Sequence, residues 1–222
     1  EQLILIILVY LLTSLLIALP FYLSNYQVTF LNSLFEAISG TTGTGFSIFK
    51  NIKYLDPTLI LWRSSSQWIG GLYFLFFLVI IFSNKQFNYK MCDLTHYGDG
   101  NINTENNIKE FLLKIFIFYS ILSLIIFLLL NISEIRMFNS LNLSMSLISN
   151  GGFLPTDSLN IIIKSNIQKM IFIFSLFNSM LNFFLILNIF QKKVIIRDHK
   201  EDIYLVLLSF IFIILVYLSG HS

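Results

Sequence analysis

The chain has 222 residues, 56% of them hydrophobic and only 12% charged, with a mean hydropathy of +0.78 and a formal net charge of +2. Globular domains carry about 25% charged residues, so this composition belongs to the membrane class. A charge of +2 is too small to imply nucleic acid, and the single cysteine, Cys92, excludes an internal disulfide.

In chain order, the first apolar run is Leu3 to Leu19, closed by Pro20. A helix rises about 1.5 Å per residue, so crossing a bilayer takes about 20 apolar residues. Phe30 to Ser39 reads as a short helix that cannot cross, and the polar turn "TTGTGF" (41–46) follows at once. Leu59 to Phe82 is the second span, interrupted by Arg63, Gln67 and the pair Gly70-Gly71. Segment 84–107 is polar and includes His96 and Cys92. Ile108 to Leu130 is the third span, Phe138 to Ile148 a second short helix, and "SNGGF" (149–153) a second glycine turn. Ile167 to Phe190 and Ile203 to Leu218 are the fourth and fifth spans. The chain opens at Glu1 directly into an apolar run and stops just after another, which reads as part of something longer, with no signal peptide to consider.

The two short-helix regions are copies of one unit. Shifted by 107 positions, Asn32-Ser33-Leu34 falls on Asn139-Ser140-Leu141, Ser39 on Ser146, and Gly45-Phe46 on Gly152-Phe153. Such identities at one offset, inside matching hydropathy, mark an internal repeat. The unit is span, short re-entrant helix, glycine turn, span. This divides the chain into a first repeat (1–83), a cytoplasmic loop (84–107), a second repeat (108–191), a second loop (192–200) and the first helix of an incomplete third repeat (201–222). Lys85, Lys90, Lys109 and Lys114, with Lys192, Lys193, Arg197 and Lys200, outnumber Lys50, Lys53 and Arg136 on the opposite side, by a margin that Lys164 and Lys169 near the outer end of the fourth span narrow. That asymmetry places both loops in the cytoplasm and the glycine turns toward the outside.

Non-helical backbone survives at membrane depth only when packed in protein or lining water, so a re-entrant turn points to a pore or a binding site. Glycine reaches positive φ cheaply and lets successive carbonyls face one axis, where they can replace the hydration shell of a cation. Thr41, Thr42 and Thr44 either add hydroxyl oxygens or brace the turn from behind. The negative end of each short helix also favours a cation there.

The stretches "FEAISGTTGTGF" (35–46), "LWRSSSQWIGG" (61–71), "NGGFLPTDS" (150–158) and "RDHKEDIYL" (197–205) resemble the Trk/Ktr (HKT) superfamily of K⁺ uptake proteins. The resemblance covers the whole chain. It implies an all-α, K⁺-channel-like membrane protein with five transmembrane helices and two re-entrant pore helices, lying in a bacterial inner membrane. It makes Gly45 and Gly152 selectivity-filter glycines, preceded by Thr42, Gly43, Thr44 and by Ser149, Asn150, Gly151, with K⁺ as the transported ion and no bound cofactor. The family places four repeats around one ion path, and two fall in this chain. Another chain, a second copy, or the rest of a longer protein completes the ring; the last is favoured. A dimer and a cytosolic nucleotide-binding ring are further implied partners.

Two positions depart from the family pattern: Gly43 interrupts the usual threonine run, and Asn150 stands where a small or apolar residue is usual. Retention of glycine at 45 favours K⁺ over Na⁺. Glu36 has two open roles, attracting cations or bonding backbone behind the filter. Arg63 is expected to snorkel to headgroups, Gly70-Gly71 to permit close packing, and Asn178, Asn182 and Asn188 to bond between helices, with Asn182 also a candidate for the ion path. His96, His199 and His221 form no ligand cluster, and Asp93, Asp99 and Glu105 belong to a solvated loop open to a regulatory partner. There is no metalloprotease or nucleophile-elbow motif, and residues 41–45 lack the lysine of a phosphate-binding loop. The expectation is a transporter, not an enzyme.

Overall fold

A computed structural model describes residues 2–82, 105–180, 183, 204–209 and 211. The chain divides into two compact units, Glu1–Phe87 with Ile102–Ser179, and Asn88–Asn101 with Met180–Ser222. In the second, residues 204–209 and 211 are helical. The first holds helices α1 (Gln2–Tyr22), α2 (Phe30–Thr41), α3 (Pro57–Phe82), α4 (Glu105–Ile132), α5 (Met137–Ile148), α6 (Leu159–Ile162) and most of α7 (Asn166–Met180), with no strand among the described residues.

Three described helices are long and apolar enough to cross a membrane, over Leu3–Tyr22, Pro57–Ile81 and Lys109–Ile132. The expected fourth span is described from Asn166 to Met180, and its remainder, like most of the fifth, lies outside the described residues. Loop residues 84–104, with Lys85, Lys90, His96, Asp93 and Asp99, lie outside them too, as do Asn182, Asn188, His199 and His221. Pro20 does not stop the first helix as expected. It sits in the last turn, where only one helical N–H is forfeited, and Leu23 N–H still donates to the Leu19 carbonyl at 2.9 Å.

α3 is the central element, in contact with α1, α2, α4 and α5. Ile17, Ala18 and Phe21 of α1 pack with Ala37 of α2 and Leu59 of α3. Ile126 and Leu130 of α4 pack with Leu143 and Leu147 of α5, and Ile171, Phe172 and Leu176 of α7 close on them. Outward, α1 bares Leu5, Leu8, Leu12 and Leu16. A soluble monomer rarely leaves so continuous an apolar face open to water; against lipid chains it costs nothing. The polar residues point the other way. Ser64, Ser66 and Gln67 of α3 are buried inside the bundle, where polar groups on a membrane helix are cheapest.

Candidate functional site, two glycine turns that meet

The 107-residue offset holds in three dimensions. α2 spans Phe30–Thr41 and α5 spans Met137–Ile148, the same twelve positions of the unit. Each ends in a Schellman motif, in which a left-handed residue lets two N–H groups fold back onto the last carbonyls. In the first, Gly43 N–H donates to the Gly40 carbonyl at 3.1 Å and Thr44 N–H to the Ser39 carbonyl at 3.1 Å. In the second, Asn150 N–H donates to Leu147 at 3.0 Å and Gly151 N–H to Ser146 at 2.9 Å. The left-handed residues are Gly43 (φ +68°) and Asn150 (φ +52°). Both departures from the family pattern are thereby explained. This position needs positive φ, which glycine adopts freely and asparagine tolerates better than other residues.

Two residues on, the chain turns left-handed again, at Gly45 (φ +75°) and Gly152 (φ +78°). The turns lie against each other here. A Cβ built on Gly45 would stand 2.6 Å from the Gly151 carbonyl oxygen and 3.5 Å from Gly152 Cα. One built on Gly43 would stand 3.6 Å from the Ser149 carbonyl oxygen. The structure therefore brings Gly43 and Gly45 together with Ser149, Gly151 and Gly152, with Thr42, Thr44 and Asn150 on the same short loops. Among the described residues, the carbonyls of Thr42, Gly43, Thr44, Gly45, Ser149, Asn150 and Gly152 accept no hydrogen bond, while that of Gly151 is taken by Gln67. Unpaired backbone carbonyls of this kind are able to replace the hydration shell of a cation. Among the described residues, no three or more His, Cys, Asp or Glu side chains gather as a metal site.

Side chains behind the turns hold them in place. Glu36 and Arg63 pair with Nε 2.8 Å from Oε1, both buried. Glu36 Oε2 accepts Ile48 N–H at 2.9 Å, and Glu36 Oε1 accepts Ser47 Oγ–H at 2.9 Å. Glu36 thus takes the backbone-bonding role of its two open ones. The expected snorkelling of Arg63 is wrong. Its guanidinium also donates to Ser47 Oγ at 3.0 Å and to the Leu154 carbonyl at 3.4 Å, and stacks 4.3 Å from the centre of the Phe153 ring. A buried partner of opposite charge offers it more than a headgroup at the end of a stretched side chain.

Thr41 faces α1. Its hydroxyl donates to the Ala37 carbonyl at 2.9 Å and meets Ser14 Oγ of α1 at 2.9 Å, bracing the turn from behind. Thr42 and Thr44 share a 3.0 Å hydroxyl contact on the exposed side. Asn150 is fixed by Ser179, through Nδ2 to the Ser179 carbonyl at 2.9 Å and Ser179 Oγ–H to Oδ1 at 3.2 Å. Asn178 bonds within its own helix, to the Phe174 carbonyl at 3.1 Å. Gly70-Gly71 permits close packing, as expected, with Gly70 against the Thr41 backbone and Gly71 against Tyr119 and Ser149.

Gln67 was legible only as an interruption of a span, and Ser14, Ser47 and Ser179 carried no signal. One clue was available: Gln67 lies four residues after Arg63, on the same face of a helix.

The chain matches the TrkH family, described as a cation transport protein, over residues 3–219. It is 30% identical over 147 residues to an uncharacterized cation transporter of Methanocaldococcus jannaschii, covering 65% of this chain and 30% of that protein. It is 40% identical over 55 residues to the Trk system potassium uptake protein TrkI of Halomonas elongata, covering 25% of this chain and 11% of the relative. With TrkG of Escherichia coli, also a Trk system potassium uptake protein, it shares 34% over 70 residues, 31% of this chain and 14% of the relative. The matched stretches thus span less than a third of each of these relatives.

Proposed function

The chain belongs to the TrkH family of cation transport proteins, and from that membership we propose that it moves K⁺ across a membrane along carbonyls of its two glycine turns. Members of this family are transporters, not enzymes. The observation that carries the reading is the meeting of Gly45 with Gly151 and Gly152, each turn presenting unpaired carbonyls at the end of a short helix. On this reading Thr42 to Gly45 and Ser149 to Gly152 are filter residues, α2 and α5 are pore helices, and α1–α3 and α4–α7 are two span–turn–span repeats. Residues 201–222 begin a third, which makes five spans in all. The location is a plasma membrane, the inner membrane in a bacterium, with both basic loops in the cytoplasm.

Two turns surround an ion on two sides, so further turns complete the path. The short helices support this. On α5 the stripe Phe138, Asn142, Met145, Ser149 is covered by the first repeat. Phe138 packs on Ile52, Leu55 and Ile60, Ser65 Oγ lies 3.8 Å from Met145 Sδ, and Gly71 lies against Ser149. The equivalent stripe on α2, with Leu31 76%, Phe35 48% and Ile38 38% exposed, has no such cover among the described residues. A further span–turn–span unit, in the same polypeptide or in a partner chain, packs there as α3 packs on α5. A dimeric assembly and a cytosolic nucleotide-binding ring are the remaining partners that the family resemblance implies.

The test is ion uptake by the complete gene product in cells lacking their own K⁺ uptake systems. Restored growth at low K⁺, with uptake of K⁺ exceeding that of Na⁺, is expected. Equal movement of both ions would make the protein a Na⁺-permeable relative. Absence of any flux from a membrane-inserted, assembled protein would leave a degenerate unit kept for assembly.

A further inference from the structure

Gln67 stands apart from the other residues that support the turns. It is fully buried on α3, in the first repeat, yet both ends of its amide are spent on the second turn. Nε2 donates to the Gly151 carbonyl and Oε1 accepts Phe153 N–H at 3.2 Å, bracketing Gly152 from both sides. The fit is tight enough that a Cβ on Gly151 would run into the Gln67 amide. Four residues earlier on the same helix, Arg63 holds Phe153 by its ring and Leu154 by its carbonyl, continuing the seam along the exit of the turn.

The consequence is an inequality between the two turns. At the offset of 107, Gly151 corresponds to Thr44, whose carbonyl accepts no hydrogen bond among the described residues. Among the described residues, the Gly151 carbonyl is the one backbone oxygen of the candidate turns committed to a protein donor, and it is also the atom nearest to a Cβ built on Gly45. We propose that Gln67 is a positioning residue that sets ion discrimination, by holding the Gly151 carbonyl at a fixed angle where the two turns meet. This rests on the reading of those turns as an ion path. A carbonyl free to swing could close around a smaller ion, and one pinned by an amide cannot, so the preference for the larger K⁺ depends on this bond. Among the origins of discrimination by backbone oxygens is the size of the cavity they frame, which a pinned carbonyl holds constant.

The experiment uses the complete gene product and measures K⁺ and Na⁺ uptake per molecule in the membrane. It compares wild type, Gly45→Ser, Gln67→Met and Gln67→Leu. Met fills the space with neither a donor nor a strong acceptor. Leu, shorter and branched, also offers neither, so an effect shared by both variants follows from the lost amide and not from one side chain's shape. Both Gln67 variants are expected to reach the membrane at reduced abundance, because each leaves buried partners unpaired, with the K⁺/Na⁺ uptake ratio per inserted molecule lowered about tenfold, the scale of losing one buried hydrogen bond. A purely structural glutamine would lower abundance and leave the ratio alone, so an unchanged ratio overturns the proposal. Failure of both variants to accumulate also overturns it, since the role assigned is tuning and not folding. A wild type without flux, or a Gly45→Ser variant with unaltered flux and ratio, counts instead against the ion path itself.

Discussion

Arg63 Nε lies 2.8 Å from Glu36 Oε1, and neither side chain is more than 1% exposed. The pair links α3 to α2, and through Ser47 and Ile48 it also fixes the chain leaving the first turn. Removing one member strands the other charge in a dry interior, a loss of about 3–5 kcal/mol. Arg63→Met and Glu36→Leu are each expected to abolish accumulation of folded protein at ordinary temperature. The double variant is expected to recover a measurable part of it, because no charge remains uncompensated. The check is folded yield and thermal midpoint in detergent for the two single variants and the double one. A double variant as poor as the sum of the singles would show that the pair is not coupled.

The approach of Gly45 to Gly151 makes a second prediction. An L-residue at φ +75° is strained by about 1–2 kcal/mol, and here its Cβ would also press to 2.6 Å from a carbonyl oxygen. Gly45→Ser is expected to push the two turns apart, lowering K⁺ uptake and the K⁺/Na⁺ ratio together. Gly43→Ala meets the same backbone penalty but more open space, its nearest neighbour being 3.6 Å away. It should cost stability with less effect on the ratio. Parallel uptake measurements on the two variants, each normalised to membrane abundance, separate space from strain.

The glycine pair of α3 is not uniform. A Cβ on Gly70 would collide with the Thr41 carbonyl and backbone, which cannot move without displacing the first turn. A Cβ on Gly71 would meet the Tyr119 hydroxyl at 2.7 Å, Ser149 Cβ at 2.9 Å and Ser149 Cα at 3.1 Å. Gly70→Ala is therefore expected to lose transport even where the protein still inserts, and Gly71→Ala to retain a reduced share. At Gly71 the Tyr119 hydroxyl can shift and the overlap with Ser149 is small, whereas at Gly70 the overlap is with packed backbone and far larger. Transport per inserted molecule is the measurement, and equal loss in the two variants would contradict the reading.

Much of this was legible in the sequence, for reasons of scale. Spans and short helices announce themselves through length and hydropathy, so α2 and α5 emerged within two residues of their observed starts and ends. The repeat was legible because Asn32-Ser33-Leu34 recurs at Asn139-Ser140-Leu141. What was not legible is where long polar side chains end up. Arg63 has a flexible stem, and its position near a span end permits either headgroups or a buried acid; only the fold brings Glu36 within 2.8 Å. Gly43 and Asn150 looked like departures from a motif because helix capping is a backbone requirement that side-chain identity encodes weakly. Their positive φ reveals the shared cause.

Asn142 carries a fourth prediction. It is fully buried on α5, its Nδ2 donates to the Phe138 carbonyl at 2.7 Å, and its Oδ1 has no hydrogen-bond partner among the described residues. An unpaired buried acceptor costs about 1–3 kcal/mol. Asn142→Leu keeps the number and branching of side-chain heavy atoms, at the cost of some added bulk, and removes that oxygen, so it is expected to raise the thermal midpoint by a few degrees. A lowered midpoint would reveal an unseen donor at Oδ1, a bound water being the simplest.

The bare stripe of α2 separates folding from assembly. Leu31, Phe35 and Ile38 lie along one side of the helix, and Ala37, on the other side, is fully buried against α1 and α3. If a further unit covers the stripe, polarity there affects partners without affecting the chain itself. Phe35→Asp is then expected to leave helicity and the thermal midpoint of the purified chain nearly unchanged while removing it from assembled transporter. Ala37→Asp buries an unpaired carboxylate, a penalty of several kcal/mol, and is expected to prevent folding outright. Circular dichroism reads the first quantity, and co-purification of assembled complex reads the second. Should Phe35→Asp assemble and transport as well as wild type, the stripe faces water or lipid headgroups, and the unit that completes the ion path packs elsewhere.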